Sequence, residues 1–368
     1  MYNKAILTGF VAGTLLIAIT IMPAKFSYAQ SQTSINGAGA TFPFPLIDNW
    51  RVEYQKVKPD VNINYQSIGS GGGVKQFTQK TVDFGASDAP LTKSEQQAAQ
   101  GTVHIPETIG SVVAAYNIPG IPDKGLNLTG PVLADIFLGK ITKWNDPQIQ
   151  SLNAGKSLPS DDIVVVHRSD GSGTTFVWTD YLSKVSSEWN NTIGTSKSVP
   201  WPKGIGAPGN EGVANAVKGT QNSIGYIELA YALTTKIPYA YLKNQAGNFI
   251  EPSINSTKAA ISSISSNLPK GDQSWQSVSA VNAPGSDSYP IASFSYILLY
   301  KDLSTNPSID EPKAKSIVDF ISWAITDGQK SAEPLGYVPL PDQVVKLDQE
   351  TLKTITFKGK PLFGAGGS

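Results

Sequence analysis

Apolar runs of four to ten residues alternate with stretches of helical period along most of the chain. Residues 61–65 (Val-Asn-Ile-Asn-Tyr) alternate apolar and polar positions and predict a half-buried strand. Residues 82–86, 111–117, 163–166, 224–227 and 291–300 are apolar and rich in β-branched or aromatic side chains, and predict buried strands. Between them, helices are predicted through Trp50 and Tyr54, from Gly73 to Lys80, over 94–100 with Ser94 as cap, and over 132–138, 174–184 and 314–323. Strand–helix alternation of this kind predicts an α/β fold. Residues 195–212, rich in Gly, Pro and Lys, read as a surface loop, and 252–288, rich in Ser, Asn and Gly, as a solvated excursion with helical pieces. Residues 364–368 read as a frayed tail.

The first 29 residues stand apart from this pattern. A short positive start ends at Lys4, an apolar run covers 5–22, and Ser27-Tyr28-Ala29 forms a small-x-small cleavage pattern before Gln30. That is the layout of a secretory signal, with retention as an N-terminal anchor the alternative. Without this segment 27 basic and 29 acidic side chains remain, a net charge of −2. Such a balance gives no global attraction for nucleic acid or an anionic membrane, so any anion must be held locally. The chain has no Cys, which removes disulfides, thiolate metal sites and a lipidated cysteine. The 339 residues that follow the signal exceed one simple core and suit two domains.

Candidate chemistry lies in three segments with one design. Gly37-Ala38-Gly39-Ala40-Thr41-Phe42-Pro43, Gly69-Ser70-Gly71-Gly72-Gly73 and Asp170-Gly171-Ser172-Gly173-Thr174-Thr175 each fall between a predicted strand and a predicted helix. A helix start presents unpaired N–H groups and the positive end of the helix dipole, which together favour an anion. Glycine lets backbone approach a ligand, and Ser or Thr adds a rotatable hydroxyl. Taken singly, such segments are more often ordinary caps and turns. No nucleotide phosphate loop fits, since Gly155-Lys156-Ser157 has Gln150 where the upstream Gly belongs. Three such ends in one chain would therefore enclose a free oxyanion.

Two charged residues sharpen this. Arg168, at the end of the 163–166 strand, can offer a forked pair of hydrogen bonds, with Asp170 placed to orient it. A surface ion pair is the plainer alternative. Asp88 follows the 82–86 strand, and a carboxylate beside an anion is repulsive unless the ligand carries a proton. Phosphate and arsenate do so at neutral pH and sulfate does not, so Asp88 would select against sulfate. With only His104 and His167 as histidines, a secreted phosphatase lacks an evident base or metal set; an adhesion module lacks its repeats.

Together these residues resemble the phosphate-binding protein of the phosphate-specific ABC transporter, in the periplasmic substrate-binding protein family. The match is carried by residues 37–43, by Ile68-Gly69-Ser70-Gly71-Gly72-Gly73-Val74-Lys75-Gln76, by Val82-Asp83-Phe84-Gly85-Ala86-Ser87-Asp88-Ala89-Pro90 and by Arg168-Ser169-Asp170-Gly171-Ser172-Gly173-Thr174. Weaker echoes are residues 138–144 and 223–228. The resemblance implies an α/β, two-lobed periplasmic-binding-protein fold joined by a two-crossing hinge, with lobe one at 30–111 plus 292–368 and lobe two at 112–291. It implies phosphate contacts from Thr41, Phe42, Ser70, Asp88, Arg168, Ser172, Gly173 and Thr174, with Asp170 holding Arg168. It also implies a monomer outside the cytoplasmic membrane, partnered by inorganic phosphate and an ABC permease, with no catalytic residue, metal or cofactor. His167 stands where some relatives carry a second Arg, and Gly71 where Ser is common.

Overall fold

A computed structural model of the chain describes residues 32–121 and 124–363. The signal or anchor reading and the frayed tail lie outside the described residues. Among the described residues no helix is long and apolar enough to cross a membrane.

The fold is α/β, organised by one curled sheet. Its strands are β1 (Thr33–Gly39), β2 (Val61–Ser67), β3 (Phe84–Ser87), β4 (Thr102–Asn117), β5 (Lys124–Leu128), β6 (Val164–Arg168), β7 (Ile205–Ala207), β8 (Ser223–Glu228), β9 (Tyr239–Lys243), β10 (Phe249–Ile250) and β11 (Ala292–Tyr300). The path runs β2-β1-β3-β11-β4-β8-β6-β7, with β9 joining β4, β5 and β10 beside it. Strand β4 is the spine. Its first part pairs antiparallel with β11, from Thr102↔Tyr300 to Ser111↔Ala292, and its second with β8, from Val112↔Glu228 to Asn117↔Ser223. The neighbour changes between Ser111 and Val112, so one continuous strand carries two α/β halves.

Register then decides where the strand ends lie. β1, β2 and β3 are parallel, and β3 finishes with Ser87 opposite Tyr296, towards the start of β11. β6 and β8 are parallel, and β8 finishes with Glu228 opposite Val112. Both sets of carboxyl ends therefore face the exchange point on β4, which is where ligands sit in open α/β sheets. β4 can run through the middle because its side chains from Val103 to Tyr116 are buried on both faces. A central strand with no solvent face need not alternate apolar and polar positions.

The predicted elements are present with shifted ends. The helix expected from Gly73 starts at Ser70 and ends at Thr78, because Val74 and Phe77 carry its buried face and the glycines before them can still be helical. The 94–100 helix is Lys93–Ala98, capped by Thr92 rather than Ser94, in a reciprocal capping box with Glu95. The 111–117 strand is the second part of β4, whose first half was hidden by Pro106.

Two loop expectations are corrected. Residues 195–212 contain β7 and the start of a helix, Gly209–Gly219. Residues 252–288 are not a solvated excursion. They include helix Ile254–Ser262, and Trp275 is fully buried with its ring 5.3 Å from that of Tyr296. Sparse apolar residues gave the segment a polar composition, but one Trp anchors it on β11.

Candidate functional site

Four turns after strands converge at the β4 exchange point. After β1 the chain passes Thr41 and Phe42 into helix Phe44–Val57; after β2, Gly69 leads into helix Ser70–Thr78; after β3 comes Asp88; after β6, Ser172 opens helix Gly173–Val185. Gly69 adopts φ +82°, and a Cβ there would fall 2.2 Å from Asp170 Oδ2, so only glycine fits this turn.

The contacts between these turns are direct. Ser70 Oγ accepts from the Gly173 N–H at 3.0 Å and from the Asp88 N–H at 3.2 Å. The Gly71 N–H donates to Gly171 O at 2.8 Å. Arg168 donates from Nε to Asp170 Oδ1 at 2.7 Å and from Nη2 to Asp170 Oδ2 at 2.5 Å, with Nη1 towards Thr174 Oγ1 at 3.4 Å. The Arg168 side chain is 1% exposed, which removes the surface-pair alternative. An arginine so buried keeps its charge and needs a fixed partner. Asp170 supplies it and also accepts from the Gly209 N–H at 3.1 Å.

Ser70, Asp88, Arg168, Asp170, Gly173 and Thr174 thus form one hydrogen-bonded cluster, which Thr41 joins through Asn210. Phe42 lies in the backbone beside Thr41, with its ring fully buried and its carbonyl accepting from Tyr337 Oη at 2.6 Å. Ser172 fits its expected part only partly. Its N–H donates to Lys197 O at 2.8 Å and its Oγ caps the Thr175 N–H at 3.0 Å, leaving the hydroxyl hydrogen as its free donor. His167 points elsewhere: its ring stacks on Trp201, and Nδ1 lies 3.0 Å from Arg168 O. Burial lowers its pKa, so its neutral form is favoured and it adds no cation to the cluster.

Several members were not legible beforehand. Asn210, fully buried at the start of helix Gly209–Gly219, donates from Nδ2 to Thr41 Oγ1 at 2.7 Å and to Thr174 Oγ1 at 3.1 Å, and from its N–H to Thr41 Oγ1 at 3.1 Å. It is a fourth helix start, in a stretch whose Gly and Pro content read as loop. The Ala207-Pro208-Gly209-Asn210 turn after a short β run was the available signal. Ser295 donates to Asp88 Oδ1 at 2.9 Å from 207 residues away. Tyr226 Oη accepts from the Arg168 N–H at 3.1 Å.

The electrostatics are those of a buried, closely balanced site. Burial pushes Asp88 up to about 7, opposed by the Ser295 hydrogen bond, the Arg168 charge, and hydrogen bonds from Ser70 and Thr174. Burial also works against the Asp170 carboxylate, but the hydrogen bonds and charge of Arg168 win and hold it below its ordinary value. One fixed cation, rotatable hydroxyls, helix starts and one carboxyl near its midpoint can enclose a compact anion that carries a proton. No group of three or more His, Cys, Asp or Glu that could hold a metal ion is found among the described residues.

The family model of the PBP superfamily domain matches residues 27–327. With the curled sheet and the cluster at its exchange point, this defines a two-lobed substrate-binding protein of the periplasmic-binding-protein class. The chain is 46% identical over 341 residues to the phosphate-binding protein PstS of Pasteurella multocida, covering 91% of this chain and 94% of that one. It is 40% identical over 335 residues to the phosphate-binding protein PstS of Methanocaldococcus jannaschii, covering 87% and 86%. Among solved structures, the fold matches a high-affinity periplasmic phosphate-binding protein (PfluDING) bound with phosphate, with TM-score 0.68 and 21% identity over 86% of this chain and 92% of that one. It also matches the phosphate-binding protein of Stenotrophomonas maltophilia, with TM-score 0.63 and 21% identity over 87% and 94%. The chain belongs to the PBP superfamily and, within it, to the family of PstS phosphate-binding proteins.

Proposed function

We propose that this chain binds inorganic phosphate outside the cytoplasmic membrane and delivers it, as a monomer, to the membrane permease of an ABC phosphate importer. The lobes are residues 30–111 plus 292–368 and residues 112–291, with crossings near Ser111 and Ala292. The change of β4 neighbour between Ser111 and Val112 supports those limits. Thr41, Phe42, Ser70 and Asp88 act from the first lobe, and Arg168, Ser172, Gly173 and Thr174 from the second. A ligand touching both lobes favours the closed arrangement, since only that arrangement makes all the contacts.

The observation that carries this reading is the burial of Asp88 against Ser70 and Gly173 within the cluster that holds Arg168. Ionised Asp88 accepts the ligand's proton, Arg168 supplies the opposite charge, and the helix starts supply N–H donors. Thr41 Oγ1 accepts from Asn210, so its hydrogen remains free to donate to a ligand oxygen. The site binds without turnover: His104 Nε2 accepts from the Leu91 N–H and His167 stacks on Trp201, so both rings are engaged structurally. Calorimetric titration of the purified chain with phosphate, arsenate and sulfate is the test. Tight phosphate binding with little sulfate binding is expected. Absence of phosphate binding, or sulfate bound as tightly, overturns the assignment, and hydrolysis of a phosphomonoester overturns the binding-only reading.

A further inference from the structure

We propose that Glu107 is a positioning residue for this site: as a neutral acid it donates to Ser295, which in turn donates to Asp88, leaving the Asp88 carboxylate free to accept a ligand's proton. This rests on the phosphate reading above.

The backbone places Glu107 deliberately. Between β11 and β4 the pairing passes from Ser295↔Thr108 to Tyr296↔Pro106, so Glu107 is the extra residue of a β-bulge. Bulges re-aim a side chain, and Pro106, with no N–H, suits such a break in the ladder. The Glu107 carbonyl is taken by Gln329 Nε2 at 3.0 Å. The side chain is thereby directed at Ser295, whose Oγ lies 2.9 Å from Glu107 Oε1 and 2.9 Å from Asp88 Oδ1. Ser295 and Glu107 are fully buried and Asp88 is 2% exposed.

A serine hydroxyl has one hydrogen. It can serve one of these two carboxyls, and the other contact is satisfied when that carboxyl is protonated and donates to Ser295 Oγ. Sharing the hydrogen between two carboxylates would leave two buried like charges no more than about 6 Å apart, a strongly unfavourable arrangement. The pair therefore holds one proton. The Arg168 charge and the Ser70 and Thr174 hydroxyls act on Asp88, whereas Glu107 has Ser295 alone, and its Oε2 has no hydrogen-bond partner among the described residues. The proton accordingly sits on Glu107. Burial, opposed by the Ser295 bond and reinforced by the Asp88 charge, raises Glu107 to about 8. The surrounding titratable groups do not replace it. Asp170 is engaged with Arg168, and burial raises Glu228, Tyr65, Tyr296 and Tyr337 above their ordinary values.

When Glu107 ionises, Ser295 can satisfy only one carboxylate, and a second negative charge enters the buried site. Phosphate affinity should then fall for a reason that a non-ionising donor at 107 avoids. The test is calorimetric titration with inorganic phosphate from pH 6 to 9.5 on the whole chain, as wild type, Glu107→Gln and Ser295→Ala. The ligand's own ionisation is common to all three and cancels in ratios of dissociation constants. Glutamine keeps a donor towards Ser295 and cannot titrate. The wild-type to Glu107→Gln ratio should rise at least about tenfold between pH 6.5 and 9.5, one pKa unit of interaction corresponding to that factor. Ser295→Ala, which cuts the link, should alter the same pH step. A flat ratio for folded Glu107→Gln overturns the proposal. Should that variant fail to fold, a Ser295→Ala profile parallel to wild type overturns it instead. No phosphate binding by wild type at any pH removes the phosphate reading itself and this inference with it, whereas normal binding with flat ratios removes this inference alone.

Discussion

Gly173→Ala tests closure at the point where the two proposed lobes touch. Gly173 is the first residue of helix Gly173–Val185 and does not adopt positive φ, so alanine is unstrained there and is the better helix former. Its added Cβ, however, would lie 2.5 Å from Ser70 Oγ and 2.6 Å from Asp88 Cβ. Both belong to the other proposed lobe, and neither is the end of a long side chain that could swing away. Relief requires the two sides to separate by about 1 Å, since ordinary contact begins near 3.5 Å. That separation breaks the bond from the Gly173 N–H to Ser70 Oγ and weakens the one from Gly71 to Gly171. Two hydrogen bonds at about 1 kcal/mol each, with overpacking of about 1–3 kcal/mol, give a loss of roughly 3–5 kcal/mol. Calorimetry should therefore show phosphate affinity lowered by about two to three and a half orders of magnitude. The melting temperature without phosphate should stay within about 3 °C of wild type, because the folded lobes can tolerate the methyl once apart. Wild-type affinity would refute the cross-cleft placement of Gly173. An equal collapse of stability would show that these contacts hold the fold together and are not broken and remade around a ligand.

Other substitutions probe separate terms. Asp88→Asn removes the charge that rejects unprotonated anions while keeping an acceptor for Ser295, so selectivity for phosphate over sulfate should drop by about one to two orders of magnitude; competitive calorimetry showing unchanged selectivity contradicts the role. Arg168→Ala leaves Asp170 without its guanidinium and should cost about 3–5 kcal/mol of phosphate binding, the scale for breaking a buried pair; wild-type affinity would place the anion elsewhere. Asp348 is fully buried with neither carboxyl oxygen partnered among the described residues, and burial raises it well above the ordinary value. A carboxyl raised in the folded state stabilises fully below its unfolded pKa, and that contribution is lost as pH rises towards the folded pKa. Melting between pH 4 and pH 8 should show wild type losing more stability than Asp348→Asn, and parallel curves would mean that Asp348 does not carry this linkage.

The turns proposed to face the anion were readable because each is local. Strand, glycine, hydroxyl and helix follow one another within ten residues at Ser70 and at Ser172, and the hydrophobic pattern on either side fixes which way the helix leaves. The alternation that set the fold class is local in the same sense. What escaped was set by distance or register. Asn210 meets Thr41 across 169 residues, and its helix start was hidden in Gly- and Pro-rich composition that a loop shares. Segment 252–288 was misread because one buried Trp outweighs many exposed serines, and burial is not a composition.

Register matters most at Glu107. In the sequence it is one acid in Ile105-Pro106-Glu107-Thr108, where alternation alone would give no reason to single it out. Only the pairing slip against Ser295 and Tyr296 shows that it sits opposite no residue and turns to the hydroxyl behind Asp88. A one-residue slip reverses the face of a side chain, so the same four letters could place that carboxyl in solvent or beside the Ser295–Asp88 pair. Motifs therefore specify the groups that touch a ligand, because those must be presented by short turns of fixed shape. The groups proposed to set the charge of those contacts are placed by sheet pairing between distant strands, and here they lie on β4 and β11, the two strands that also carry the proposed crossings between lobes.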